Sequence, residues 1–173
     1  MISNYIFTFL LNIYIYTYQD TYLDTKMEDQ TPKVIRTYHH NGLIRDEYFR
    51  VNGKTEGLYK QYSYICNGEN NYKSYLSKTM NFVNDKPHGE CINYRTSGEI
   101  EEIAYYNNGK KHGYTKKFYK NGIVVAIIEY DNGEMLNMKQ YDNNSNLKVE
   151  YLDSKMTKYR KYDMYGNLIE EIL

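Results

Sequence analysis

The chain has 173 residues, 22 of them basic and 22 acidic, so its net charge is zero. That balance supplies no global field to hold nucleic acid or an anionic membrane, and any such contact has to be a local patch. A chain of this length buries a core without a staple. Its two cysteines, Cys66 and Cys91, are too far apart for a CxxC metal knuckle or a disulfide framework, which points to a reducing, cytoplasmic compartment.

The first segment in chain order is "NYIFTFLLNIYIYTY", residues 4–18. No Lys or Arg precedes Lys26 to form the basic region of a secretory signal. As a membrane helix the run is interrupted by Asn12 and falls short of the roughly 20 apolar residues required. Three readings stand: a membrane anchor, an extra strand or loose arm, and a leader upstream of a translation start at Met27. The third is preferred, because "MEDQTPKVIRTYHHNG" leads directly into the first repeat. Residues 1–33 are therefore set apart as an arm, and 34–173 form the predicted domain.

Tyrosine is abundant, 23 residues, beside many Asn, Lys and Ile and no Trp. Tyr and Ile favour strands, Asn and Gly favour turns. The same four residue types, Tyr, Asn, Lys and Ile, have AT-rich codons, so part of the bias reflects a low-GC genome.

Two kinds of corner alternate along the domain. The first follows an aromatic anchor, as in "YHHNGLI" from Tyr38, "YRTSGEI" from Tyr94, "FYKNGIV" with its anchor at Phe118, "YDNNSNL" from Tyr141 and "YDMYGNL" from Tyr162. With Tyr62 included, the anchors are spaced by 24, 32, 24, 23 and 21 residues. The long interval holds an eight-residue insertion placed within residues 63–78. The second kind is a heptad, "VNGKTEG" from Val51, "VNDKPHG" from Val83 and "NNGKKHG" from Asn107, degenerating to "DNGEMLN" from Asp131 and "LDSKMT" from Leu152.

Each period thus has two turns and two segments of strand length, a hairpin repeat. Side chains four apart on a strand share a face. The predicted apolar stripe is therefore Ile44 and Tyr48, Ile100 and Ala104, Val124 and Ile128, Leu147 and Tyr151, and Leu168 and Ile172, with Phe49, Ile103, Tyr105 and Ile127 behind it. The Asn-Gly pairs suit tight turns with φ > 0. The fold class is all-β: an elongated, single-layer antiparallel meander of ten to twelve strands in five to six stacked hairpins.

These residues resemble the variant MORN repeats, whose unit runs from an aromatic through an Asn-Gly turn and a strand to "NGKKHG" and a second aromatic strand. Residues 105–124, "YYNNGKKHGYTKKFYKNGIV", and 81–100, "NFVNDKPHGECINYRTSGEI", carry the likeness, which covers about residues 34–173 and weakens after Gly133. The resemblance implies a sheet of stacked hairpins and a binding or scaffolding role. Similar repeats occur in bacterial antitoxin-like proteins and in large DNA viruses, and conventional MORN repeats associate with phospholipids and protein partners.

Catalytic chemistry finds little support. His88 and His112 occupy equivalent places in successive repeats, two strand spacings or about 9–10 Å apart, too far to share a zinc. His39 and His40 are adjacent, so on a strand they would face opposite ways. The acidic run "GEIEEI", residues 98–103, lacks a nucleophile or phosphate loop, and Glu102 is expected either to point with the apolar stripe or to fray out of it. The candidate binding residues are Lys110, Lys111, His112, Lys116, Lys117 and Lys120, interleaved with Tyr114 and Tyr119, a combination suited to anionic groups. The expectation is a non-enzymatic scaffold presenting a tyrosine-rich face to a protein partner, with no cofactor, no metal and no specific nucleic acid. A peripheral phospholipid module using the Lys110–Lys120 patch and an antitoxin-like inhibitor are the alternatives.

Overall fold

A computed structural model describes residues 31–68 and 71–173. The apolar run at 4–18 and the Met27 start lie outside these residues. The strands are β1 (Lys33–Tyr38), β2 (Ile44–Val51), β3 (Lys54–Cys66), β4 (Tyr72–Val83), β5 (Lys86–Tyr94), β6 (Ile100–Asn107), β7 (Lys110–Lys111), β8 (Gly113–Phe118), β9 (Val124–Asp131), β10 (Glu134–Tyr141), β11 (Leu147–Tyr151), β12 (Tyr159–Tyr162) and β13 (Leu168–Ile172). Each pairs antiparallel with its chain neighbour in one open sheet, and β7 and β8 both pair with β6 as two parts of one strand broken at His112. This is the expected meander. Among the described residues no helix is long and apolar enough to cross a membrane.

One row of directly opposed residues crosses the sheet. It runs Ile35, Tyr48, Tyr59, Met80, Cys91, Ala104, Thr115, Ile128, Met138, Tyr151, Tyr159 and Ile172, one from every strand except the two-residue β7. The Glu102–Lys117 and Ile103–Lys116 pairs set Ala104 opposite Thr115, and the Tyr48 ring lies 5.6 Å from Tyr59. Burial is greatest in the middle of the row, at Cys91, Ala104, Thr115, Ile128 and Met138. Cys91, Ala104 and Thr115 are small, and Ile128 and Met138 are covered by the half-buried Tyr130, Met135 and Tyr151 packed beside them. The core is thus built by lateral contact within one face.

The predicted stripe is half right. Tyr48, Ala104, Ile128, Tyr151 and Ile172 belong to this row. Ile44, Ile100, Val124, Leu147 and Leu168 do not: they pair with the anchors Tyr38, Tyr94, Phe118, Tyr141 and Tyr162 at the corners. A register shift separates each anchor pair from the rest of its hairpin, and Ile100 and Leu168 are exposed. The insertion lengthens the β3–β4 hairpin, whose pairing continues from Tyr62–Leu76 to Cys66–Tyr72.

The reverse face carries a second row: Arg36, Glu47, Lys60, Thr79, Ile92, Ile103, Lys116, Ile127, Lys139, Glu150, Arg160 and Glu171. Its centre is mostly isoleucine. Its ends alternate in sign, with Glu47 between Arg36 (2.8 Å) and Lys60 (3.5 Å), and Glu150 between Lys139 (3.1 Å) and Arg160 (3.9 Å).

The corners divide by φ. At the heptads both central residues are left-handed, as at Asn52 and Gly53 or Asn108 and Gly109, which is the two-residue turn whose twist matches a hairpin. At the anchor corners a four-residue turn closes with one left-handed residue, glycine at 42, 98, 122 and 166. Ser145 (φ 67°) holds the equivalent place at the Tyr141 corner, and Met156 (φ 57°) does so in "LDSKMT", where the expected degenerate heptad is corrected to a four-residue turn of the anchor kind. The left-handed region costs an L side chain roughly 1–2 kcal/mol. Ser145→Gly and Met156→Gly are therefore each expected to stabilise the fold by about 1 kcal/mol, read as a higher urea midpoint at unchanged slope; a midpoint lowered by both changes contradicts this turn geometry.

Candidate functional site

The eight candidate binding residues do not form one surface. The pleat sends Lys111 and Lys117 to the face of the Ala104 row, where both meet Glu102, at 3.3 Å and 3.7 Å. Tyr114 and Lys116 point to the reverse face. Lys110 and His112 lie at the heptad turn, with His112 Nδ1 3.2 Å from Asp131, while Tyr119 and Lys120 lie at the opposite, anchor corner. Of its two expected orientations, Glu102 takes the one that points with the apolar row.

His39 and His40 are structural in their contacts. His39 and His40 sit in a turn rather than on a strand, so both rings meet the edge of Tyr64, at 4.9 Å and 5.9 Å between centroids. That corrects the expectation that they diverge. His39 Nε2 is also 2.9 Å from the Tyr62 carbonyl. Among the described residues no group of three or more His, Cys, Asp or Glu could hold a metal ion.

Asp46 was not singled out by sequence, yet it is the buried charge of the sheet, 6% exposed. It accepts hydrogen bonds from Thr37 Oγ1 (2.5 Å), Tyr59 Oη (2.5 Å) and Arg45 Nε (2.8 Å), joining β1, β2 and β3. Burial pushes its carboxyl up, but the three donors outweigh burial and hold it below its ordinary value of 3.8. Burial, and then the Asp46 carboxylate, push the Tyr59 phenol upward, so it stays a donor. Asp46 stands two residues before Tyr48, as Glu102 stands two before Ala104. A carboxylate at that repeat position was the available signal.

The largest regular feature of the core face is a comb of rings. Phe82, Tyr106 and Tyr130 recur at intervals of 24 residues, each two residues before a turn asparagine. Each is paired directly with a heptad glycine, Phe82 with Gly57, Tyr106 with Gly89 and Tyr130 with Gly113. The rings occupy every second strand in the order of the sheet, so their backbones are about 9–10 Å apart. A Cβ added at Gly57 or Gly113 would meet nothing within 4 Å. Glycine is required there by φ of 72° and 78°, and it leaves open space beside the ring. Neighbouring side chains stiffen the comb: Tyr59 lies 5.5 Å from Phe82, and Lys111 Nζ sits 5.2 Å from the centre of the Tyr130 ring. Burial pushes the Tyr106 phenol up, so it presents a neutral hydroxyl.

No family model and no curated protein matches the chain. Two solved structures of S. aureus TarM align with it: one of TarM itself, and one of a glycine-to-arginine mutant in complex with Fondaparinux, alpha-GlcNAc-glycerol and UDP. Each shows 14% identity and a TM-score of 0.36, and covers 87% of this chain. The chain spans 24% of the length of those proteins. A likeness this low carries no inference about activity.

The Asp46 network generates a pH dependence. A carboxyl held below its ordinary value adds stability above that value and loses it as pH falls through the folded one. Asp46→Ala leaves the Tyr59 and Thr37 hydroxyls without their acceptor and is expected to cost about 1–3 kcal/mol at neutral pH. The gap between wild type and variant should narrow as a denaturation series is taken below pH 3.8, and a gap that widens on acidification contradicts the assignment.

Proposed function

We propose that the chain is a variant MORN-repeat protein and a non-enzymatic scaffold that binds a protein partner through the face bearing Phe82, Tyr106 and Tyr130. The observation that supports this reading is the comb itself: aromatic rings at fixed spacing, each beside a glycine, with open space for an incoming side chain at Gly57 and Gly113. Tyrosine gives large contact area at low entropy cost, and aromatic anchors seated in pockets dominate protein interfaces. A one-layer sheet is also suited to this role, since a sheet with one apolar face is ordinarily stable when that face is covered.

The dispersal of the basic residues over two faces and two edges favours a protein partner over a phospholipid surface. Lys111 and Lys117 already share Glu102, which leaves less positive charge for a headgroup than the count of lysines suggests. The cytoplasmic placement rests on the cysteine usage, with Cys66 and Cys91 both free thiols.

A photo-crosslinking residue at Tyr106 is expected to capture one discrete partner in the native cell, and Tyr130→Ala is expected to reduce the yield at least tenfold. The same residue at Tyr114, on the reverse face, should capture little. Equal capture from both faces, or capture insensitive to Tyr130→Ala, would overturn the reading.

A further inference from the structure

The comb has a pitch that selects what can lie on it. Phe82, Tyr106 and Tyr130 stand on β4, β6 and β9, each separated from the next by one intervening strand, so the rings repeat at about 9.4–9.8 Å across the sheet. A chain lying across the strands has to present side chains to one face at that interval. The polyproline II helix does so: with three residues per turn and about 3.1 Å per residue, its positions i, i+3 and i+6 share a face every 9.3 Å or so. A β-strand shows one face at about 6.6–6.8 Å, and its third residue points away. An α-helix returns to one face after about 5.4 Å, or after seven residues at about 10.5 Å.

Hand and polarity agree with the pitch. Neighbouring strands of a sheet are rotated left-handedly by roughly 20–25°, and the polyproline helix is left-handed too. It follows successive rings by winding about 15° tighter per residue, which breaks no internal hydrogen bond because it has none. Proline-rich chain brings carbonyl acceptors and no N–H donors. The comb supplies the donors: the Tyr106 and Tyr130 hydroxyls, which have no hydrogen-bond partner among the described residues, and Lys111 Nζ beside the Tyr130 ring. Asp46 and Glu102 on the same face are already held by their own donors, so they do not confront the incoming carbonyls.

We infer that the comb binds a proline-rich segment of its partner in the polyproline II conformation. The segment lies across the strands, with positions i, i+3 and i+6 packed against the Phe82, Tyr106 and Tyr130 rings and its carbonyls accepting hydrogen bonds from the Tyr106 and Tyr130 hydroxyls. Aromatic-lined grooves suit such helices because the ligand is preformed and loses little entropy on docking. The open space at Gly57 and Gly113 admits the side chains that reach between the rings. This inference rests on the partner-binding reading of the comb and adds the chemistry of what the partner brings to it.

Decaproline is the probe, about 31 Å long against about 19–20 Å from the first ring to the third. Titrated to millimolar concentration into the full chain, it is expected to move the ring resonances of Phe82, Tyr106 and Tyr130 and to leave those of Tyr114, on the reverse face, in place. Tyr106→Ala should weaken binding at least about tenfold. Tyr106→Phe, which keeps the ring and removes the donor, should weaken it about threefold to tenfold, and it carries the test if the alanine variant loses the sheet by circular dichroism. No shift of the comb rings at millimolar decaproline, equal shifts at Tyr114, or binding unchanged in either variant would overturn the inference. Photo-crosslinking from Tyr106 separates this failure from that of the reading beneath it. A discrete partner captured through a segment without prolines at three-residue intervals sinks the polyproline assignment alone, whereas loss of both decaproline binding and Tyr130-dependent capture sinks the two together.

Discussion

The fold depends on register. In a strand the side-chain period is two, so a slip by one residue would turn Cys91, Ala104, Thr115, Ile128 and Met138 from the apolar face to the charged one. The corners prevent that slip. At the heptads of Gly57, Gly89 and Gly113 the pairing resumes with two extra residues on the following strand, for example between Phe82–Pro87 and Met80–Cys91. An even number preserves the face. Where glycine is replaced, at Asn137, a single extra residue is accommodated between Met135–Tyr130 and Asn137–Glu129. Both faces of each strand then follow from the turns, and the apolar row and the charge ladder are two readings of one register.

This also explains how one layer holds together. The buried side chains at the centre of the row are small or unbranched at the tip, and the sheet covers them with neighbours on the same face. The arrangement has a local cost at Thr115, whose buried hydroxyl has no hydrogen-bond partner. Towards β1 the row meets the Asp46 network, which ties three strands by charge-assisted hydrogen bonds where apolar contact is thinner.

Much of the architecture was legible in the sequence because glycine and asparagine mark turns for a steric reason, and their spacing yields strands, meander and insertion directly. Half of the apolar row was legible as well, through Tyr48, Ala104, Ile128, Tyr151 and Ile172. The rest, Ile35, Tyr59, Met80, Cys91, Thr115, Met138 and Tyr159, has no single residue type in common, so only pairing reveals it. The ring comb was hidden by abundance: among 23 tyrosines, the phase of Tyr106 and Tyr130 with Phe82 does not stand out. The basic patch misled in the opposite direction. Its residues are neighbours along the chain, but the pleat and the broken strand at His112 distribute them over two faces.

A scaffold of this design places recognition on periodic positions, so the same register that buries Ala104 also spaces Phe82, Tyr106 and Tyr130. The most direct test of that register is a methyl-resolved nuclear Overhauser spectrum of the Ala104, Thr115 and Ile128 methyl groups. The account predicts cross-peaks from Thr115 to both Ala104 and Ile128, on the strands either side of it. Cross-peaks from Ala104 to Ile127 or to the side chain of Lys116, with none to Thr115, would place these residues on the opposite face and contradict it.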